Sequence, residues 1–353
     1  MTLGPFELPA AADFHVHLRD GKMAETVTKT IRQGGVSLAY VMPNLTPPVT
    51  TVEQALSYKT RLQAIDSSIN YQMTLYLHPT ITPEVIREAK RAGIAGVKSY
   101  PAGVTTNSDA GVISYEEYYD VFAAMESEGL VLNLHGEVPS DPKMGITILN
   151  AESKFLPTLK GLHERFPRLK IVLEHCSTKD AVEAVNSCGD NVVGTITSHH
   201  LFLLVDDAAS DVFCYCKPVA KTPEDRTALL QAVVSSKGKF FLGTDSAPHD
   251  ISAKKKGKTA AGVFTQPYAT QIVMSALEAA IEREEIKEED VTQELLEGFF
   301  STFGRKFYGV EDKSGERIRL SKGDEVISGN VVGEGVEVQP FRTGLPTWTV
   351  EWI

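Results

Sequence analysis

The feature that most constrains this chain is a rhythm. Eight short, nearly uninterrupted apolar runs, at residues 10–17, 37–43, 71–79, 95–101, 130–137, 170–176, 192–198 and 239–247, alternate with longer amphipathic stretches. Near-continuous hydrophobicity over so few residues is what strands covered on both faces require, and such strands form parallel sheets flanked by helices. The stretches between them carry helix signals. Thr51 with Gln54 three residues on is a capping-box pattern. Thr82 before Pro83, with Gly93 after the last turn, marks a second helix, and Thr222 to Gly238 repeats the pattern. Eight strand–helix alternations predict an α/β chain folded as a (β/α)8 TIM barrel. An open doubly wound sheet is the alternative. The G-x-G-x-x-G that would follow the first strand of its dinucleotide-binding form is absent. From about residue 290 the rhythm stops. A helical segment, VTQELLEGFFSTFGRKF, precedes a Gly-rich, β-branched tail, expected to pack on the barrel as the C-terminal appendage of one domain spanning 1–353.

Hydrophobic residues make up 42% of the chain, enough for one large core, and a net charge of −11 speaks against a nucleic-acid partner. Four cysteines (Cys176, Cys188, Cys214, Cys216) do not make a disulfide framework in so long a chain, and Cys214 and Cys216 lack a second pair at zinc-finger spacing. There is no basic-then-apolar leader and no run long enough to span a bilayer, so the expectation is a reduced, cytoplasmic protein with no membrane partner. The basic run at 253–258 is expected to be a solvated loop.

In a barrel, chemistry gathers at the C-terminal ends of the strands. The first run ends in DFHVHLRD, where alternation places Asp13, His15, His17 and Arg19 on one face, an expensive burial without partners. Lys98 ends the fourth run, His135 the fifth, His175 the sixth and Asp245 the eighth. Singly, each has an ordinary reading: hydrogen-bonded strand histidines, a lysine reaching solvent along its stem, an aspartate opening a turn. Together, at equivalent positions on five strands, they are better explained by one shared site. Imidazoles and carboxylates are the usual ligands of Zn²⁺ with an open coordination position. An ammonium would repel metal, but burial lowers a lysine's pKa. The neutral amine can add CO₂, giving a carbamate whose two oxygens bridge two ions. Two Zn²⁺, a bridging hydroxide, the carbamate and Asp245 sum to roughly +1, a setting for an anionic substrate. The Arg19 guanidinium suits a carboxylate, and equally a surface salt bridge. Asn44 either donates to that carboxylate or starts the turn before the prolines, and His249 taken alone reads as structural. His78, His199 and His200 also lie near strand ends; they stay outside the metal site because its ligand set is complete without them.

The motifs HVHLRDG, VMPNLTPPVTT, KSYPAGVTTNSDAGV, LHGEV, LEHCSTKDA and FLGTDSAPH resemble, in register from about residue 10 to 270, dihydroorotases of the monofunctional bacterial and fungal type, within the amidohydrolase superfamily. The resemblance implies that His15, His17 and Asp245 hold one zinc, that His135 and His175 hold a second, and that N6-carboxylated Lys98 bridges them. It implies that Arg19, Asn44 and His249 bind a substrate carboxylate, that Ala261 and Gly262 offer main-chain contacts to the ring, and that Thr105 and Thr106 sit on a closing loop. The implied reaction is the reversible cyclisation of N-carbamoyl-L-aspartate to L-dihydroorotate in pyrimidine synthesis, with Asp245 as the proton shuttle, so cyclisation is favoured toward acid pH and ring opening toward alkaline pH. A homodimer is the family's expectation. Two departures stand out: the segment after His249 lacks the cysteines of bacterial members, and Lys217 replaces an apolar residue, a change expected to matter little if the contact there is through the backbone. Only 14 residues precede His15, too few for the β-sandwich segment of hydantoinase-like chains. Rival readings are another amidohydrolase-type enzyme acting on a carboxylated cyclic amide, a phosphotriesterase-like hydrolase, a Schiff-base aldolase using Lys98, and an inactive interaction protein on the same fold.

Overall fold

The computed structural model describes residues 3–255, 257 and 259–353. A short strand, β1 (Phe6–Pro9), precedes eight parallel ones: β2 (Ala11–Val16), β3 (Val36–Val41), β4 (Asn70–Tyr76), β5 (Gly96–Ser99), β6 (Val131–His135), β7 (Ile171–Glu174), β8 (Val192–Ile196) and β9 (Phe240–Leu242). Each of the eight is hydrogen-bonded to the next in that order. The ring is brought to closure beyond β9, where Val16 and Ser246 form a parallel bridge. There His17 N donates to Ser246 O at 3.0 Å and Asp245 N to His15 O at 2.9 Å. The (β/α)8 expectation holds, and the seam of the barrel is made by the backbone of the expected ligands.

The helices start where the sequence says they should. Thr51 and Gln54 form the reciprocal capping box at the head of Val52–Ile65, and Thr82 and Thr222 cap Pro83–Arg91 and Pro223–Val234, each with proline in the first turn. The strands stop earlier than the apolar runs. β9, for example, ends at Leu242, although the run extends to 247. The residues just past each strand are buried as deeply as the strand itself, so hydrophobicity does not mark the boundary.

The lower end of the barrel is plugged. The Phe14 ring stacks on Tyr308 (centroids 4.8 Å apart, planes at 7°) and meets Phe241 edge-on at 5.2 Å. Tyr308 closes the helix Phe303–Tyr308, which follows a π-helical turn at Gly298–Thr302. Lys170, just before β7, donates Nζ to Phe307 O at 2.7 Å, fixing that helix beneath the strand starts. Truncating a plug aromatic such as Phe14 to alanine would cost about 3–5 kcal/mol. Only the opposite rim is left for chemistry. The tail continues as β10 (Arg317–Val326), the hairpin β11 (Val331–Gly333) and β12 (Val336–Val338), and β13 (Pro346–Trp352). β10 lies between β1 and β13 in an antiparallel sheet, so the appendage draws on both ends of the chain.

One expectation fails. The 253–258 run is not simply solvated: Lys254 is 3% exposed, and its Nζ donates to the carbonyls of Tyr215, Ala260 and Gly262 at 3.1, 2.9 and 2.8 Å. Three carbonyls replace the water an ammonium would otherwise keep. Lys256 and Lys258 lie outside the described residues. Among the described residues no helix is long and apolar enough to cross a membrane.

Candidate active site

Simple alternation does not build the first motif. β2 carries register shifts at Ala11/Ala12 and between Asp13 and Val16. Phe14 joins the plug, while His15 and His17 gather with Asp245. Asp13 turns aside: its two oxygens accept from Thr244 N (2.8 Å) and Thr244 Oγ1 (2.6 Å), and burial pushes its pKa up to about 7. Arg19 departs through a left-handed turn (φ 62°) instead of continuing the strand.

His15 Nε2 and His17 Nε2 lie 3.4 and 3.2 Å from Asp245 Oδ1. These three ligand atoms all sit within 4.8 Å of one another. His175 and Asp245 both adopt positive φ (41° and 45°), a conformation costly for non-glycine residues and concentrated at functional sites. The His175 ring is 4.6 Å from that of His135 and 5.1 Å from that of His15, centroid to centroid. Lys98 reaches the same space from β5. It is fully buried, and its Nζ has no hydrogen-bond partner among the described residues. Burial pushes its pKa down to about 8, even though the carboxylates of Glu174 and Asp245 pull the other way.

Two acids that sequence reasoning left without a role fix the histidines. Glu174 Oε2 accepts from His15 Nδ1 (2.8 Å) and Thr195 Oγ1 (2.7 Å), and its Oε1 accepts from Asn133 Nδ2 (2.6 Å). Burial works to raise the Glu174 pKa, but His15, Lys98 and these bonds outweigh it and hold the carboxyl ionised. An ionised carboxylate can only accept, so His15 Nδ1 carries the proton and Nε2 presents a lone pair toward Asp245. His17 is set the same way by Asn44 Oδ1, 2.8 Å from its Nδ1. Glu137 Oε2 is 2.8 Å from His135 Nε2, which turns Nδ1 of that ring toward other partners. Both acids sit within two residues of a motif histidine, in LEHC and LHGE. A fully buried carboxylate so placed needs a donor, and that was the available signal.

This donor set fits zinc. Three convergent N/N/O atoms form one group. Two further imidazoles are neighbours, with His175 Nδ1 buried and unpartnered among the described residues. A buried amine without a hydrogen-bond partner among the described residues, with the Tyr100 ring centroid 5.1 Å from its Nζ, lies in the same space. Neutral imidazoles are favoured, since burial lowers the pKa of all four rings.

The outer ring is also assembled. Arg19 Nε donates to Pro248 O at 3.0 Å. His249 Nε2 lies 2.9 Å from Ala261 O and 3.1 Å from an Arg19 terminal nitrogen. With that ring proton given to the carbonyl, the guanidinium N–H finds no lone pair there and remains available to another acceptor. Burial, then Arg19, pushes His249 down to about 3, so its ring is neutral. Asn44 is already committed: besides His17, its Nδ2 donates to Thr106 O at 3.0 Å. A narrow cavity remains between His17, Arg19, Asp245, Ala261 and the loop residues Thr105 and Thr106. Lys217 lines it too, and its side chain, not only its backbone, contacts that loop.

His78 stands apart, its Nδ1 2.9 Å from Thr80 Oγ1 in a local turn. His199, His200 and Cys216 form a second buried group with convergent ligand atoms. Burial, and after it neighbouring positive charge, holds both of its imidazoles neutral.

Residues 75–188 match the family described as Amidohydrolase. A probable dihydroorotase of Schizosaccharomyces pombe is 50% identical over 98% of this chain and 99% of its own. The dihydroorotase of Saccharomyces cerevisiae is 43% identical over 98% of each chain. A crystal structure of dihydroorotase from Saccharomyces cerevisiae, in complex with 5-fluoroorotic acid, superposes with a TM-score of 0.90 at 42% identity, covering 98% of this chain and 99% of that one. The chain belongs to the dihydroorotase family of the amidohydrolase superfamily, hydrolases acting on cyclic amides.

Proposed function

We propose that this protein catalyses the reversible cyclisation of N-carbamoyl-L-aspartate to L-dihydroorotate, using two Zn²⁺ held by His15, His17, His135, His175 and Asp245 and bridged by N6-carboxylated Lys98. The observation that carries this reading is the buried, unpartnered Lys98 amine amid four histidines and Asp245 on one rim. A pKa pushed down to about 8 makes the neutral, CO₂-reactive amine far more populated around physiological pH than in an ordinary lysine, although the ammonium still predominates. Zinc supplies Lewis acidity, polarising an amide carbonyl and easing the deprotonation of water.

The chain's own residues do the rest. Arg19, with a guanidinium edge free for an acceptor, binds the ring carboxylate, and His249, held by Ala261 O, lies beside it in the carboxylate site. Gly262 (φ 154°) approaches Ala247 so closely that an added Cβ would lie 2.3 Å from Ala247 O; its neighbour Ala261 thereby presents main chain to the cavity. Asp245 points Oδ1 at the two imidazoles, which leaves Oδ2 to carry a proton to the ring nitrogen during opening and to return it during closure. Closure begins with that oxygen protonated, so cyclisation is favoured toward acid pH and opening toward alkaline pH. The loop carrying Thr105 and Thr106 covers the cavity and excludes water.

The test is ring opening of dihydroorotate, followed by the loss of its ultraviolet absorbance, in wild type and Asp245→Asn. The variant is expected to lose at least about 100-fold in kcat, the scale of a lost general acid–base. Undiminished turnover would remove Asp245 from the mechanism.

A further inference from the structure

Residues 101–112 fold on themselves. Ala102 N donates to Val112 O, Gly103 N to Ser108 O and Val112 N to Tyr100 O, at 3.0, 3.0 and 2.8 Å, and Ser108 Oγ bonds both the N and the O of Thr105. The two stems meet at a Pro101–Val112 bridge. A loop whose ends are close and whose bonds are internal moves as one body. It is tied down along two edges. On one, Asn44 exchanges bonds with Thr106 O and Asn107 Nδ2. On the other, Lys217, from the segment after β8, donates Nζ to Val104 O at 2.6 Å. The loop stands over the way in: Thr105, Thr106 and Lys217 line the cavity beside His17, Arg19 and Asp245.

We propose that Lys217 is the latch of this lid: its ammonium on the Val104 carbonyl sets the closed-to-open ratio and thereby gates entry and release of the carboxylated ring. The inference rests on the proposed function for the ligand that the lid admits. Lys217 is a positioning residue, acting through the loop. The Asn44 edge also serves His17 and cannot be varied alone, whereas Lys217 touches none of the expected ligands. Its charge does reach Glu137, whose carboxyl Lys221 and Lys217 help to hold down, so zinc content is the control.

The test compares wild type, Lys217→Met and Lys217→Arg, each zinc-loaded, with 5-fluoroorotate as probe and association and dissociation rates read from fluorine NMR line shapes. A charge-assisted hydrogen bond is worth about tenfold in such an equilibrium. The latch predicts that Lys217→Met binds the anion up to about tenfold faster and releases it faster still, with unchanged zinc content, and that Lys217→Arg, which keeps a donor for Val104 O, stays near wild type. A cation that merely steers anions predicts the opposite sign, slower association in Lys217→Met. Slower or unchanged association overturns the latch. A wild type that neither binds the probe nor opens dihydroorotate removes the functional reading, and the latch with it.

Discussion

Glu174→Gln changes one oxygen to an NH₂ group, and the structure says why that is not conservative. Glu174 is fully buried and accepts three hydrogen bonds, from His15 Nδ1, Thr195 Oγ1 and Asn133 Nδ2. An amide has one acceptor oxygen. If its NH₂ faces Asn133, two donors collide, and Asn133 is already committed to the Tyr40 and Tyr308 hydroxyls. If it faces the other way, both His15 and Thr195 meet a donor. The better orientation loses one bond and converts two charge-assisted bonds to neutral ones. At about 1–3 kcal/mol for the stranded donor and about 1 kcal/mol for each weakened bond, less the relief of no longer burying a charge, the net loss is about 2–4 kcal/mol. His15 keeps an acceptor at Nδ1, but a neutral one that no longer raises its basicity, and altering such a partner of a histidine ligand costs about 10–100-fold in metal affinity. Urea unfolding at fixed free zinc, together with chelator competition, reads both quantities. A variant matching wild type in midpoint and in zinc retention would refute the claim that Glu174 orients His15.

Two further predictions follow from buried charges. Burial pushes Glu152 up to about 7, against the pull of Lys221, Thr178 and Ser177. The native state therefore holds its proton more tightly than the unfolded chain does. The stability this contributes is fully present below about pH 4.5 and is lost as pH rises through about 7, a change of about 3 kcal/mol. Glu152→Gln should flatten that part of the stability–pH curve, and an unchanged slope in denaturant titrations from pH 4.5 to 7.5 would count against it. Arg19→Lys keeps the charge but loses the planar fork, so KM for dihydroorotate should rise about tenfold or more with zinc content unchanged; an unaltered KM would free Arg19 from carboxylate binding.

The barrel was legible because parallel strands buried on both faces must be apolar throughout, and that signal survives in runs as short as that ending at His135. The rim was legible for a complementary reason: His15, Lys98, His175 and Asp245 interrupt those runs with groups that are expensive to bury. Strand ends were not legible, because the site residues past Leu242 or Glu174 are as buried as the strands before them. Partnerships across the barrel were hidden as well. Glu174 meets His15 from 159 positions away, and Lys217 meets Val104 from 113 away, with no local pattern to announce either. The burial of Lys254 was missed because a basic run looks solvated unless three distant carbonyls are known to converge on it. The π-helical turn at Gly298–Thr302, ahead of the helix that ends in the plug residue Tyr308, likewise has no local pattern to announce it.

Lys98 is the group proposed to join the two ions. Zinc per subunit in Lys98→Ala, measured by mass spectrometry of the folded protein before and after adding a short carboxylic acid such as acetate, tests this directly. The expected result is two zincs in wild type, fewer than two in the variant, and recovery of both metal and ring opening when acetate takes the place of the carbamate. A variant that holds two zincs and opens dihydroorotate at the wild-type rate without acetate would contradict it.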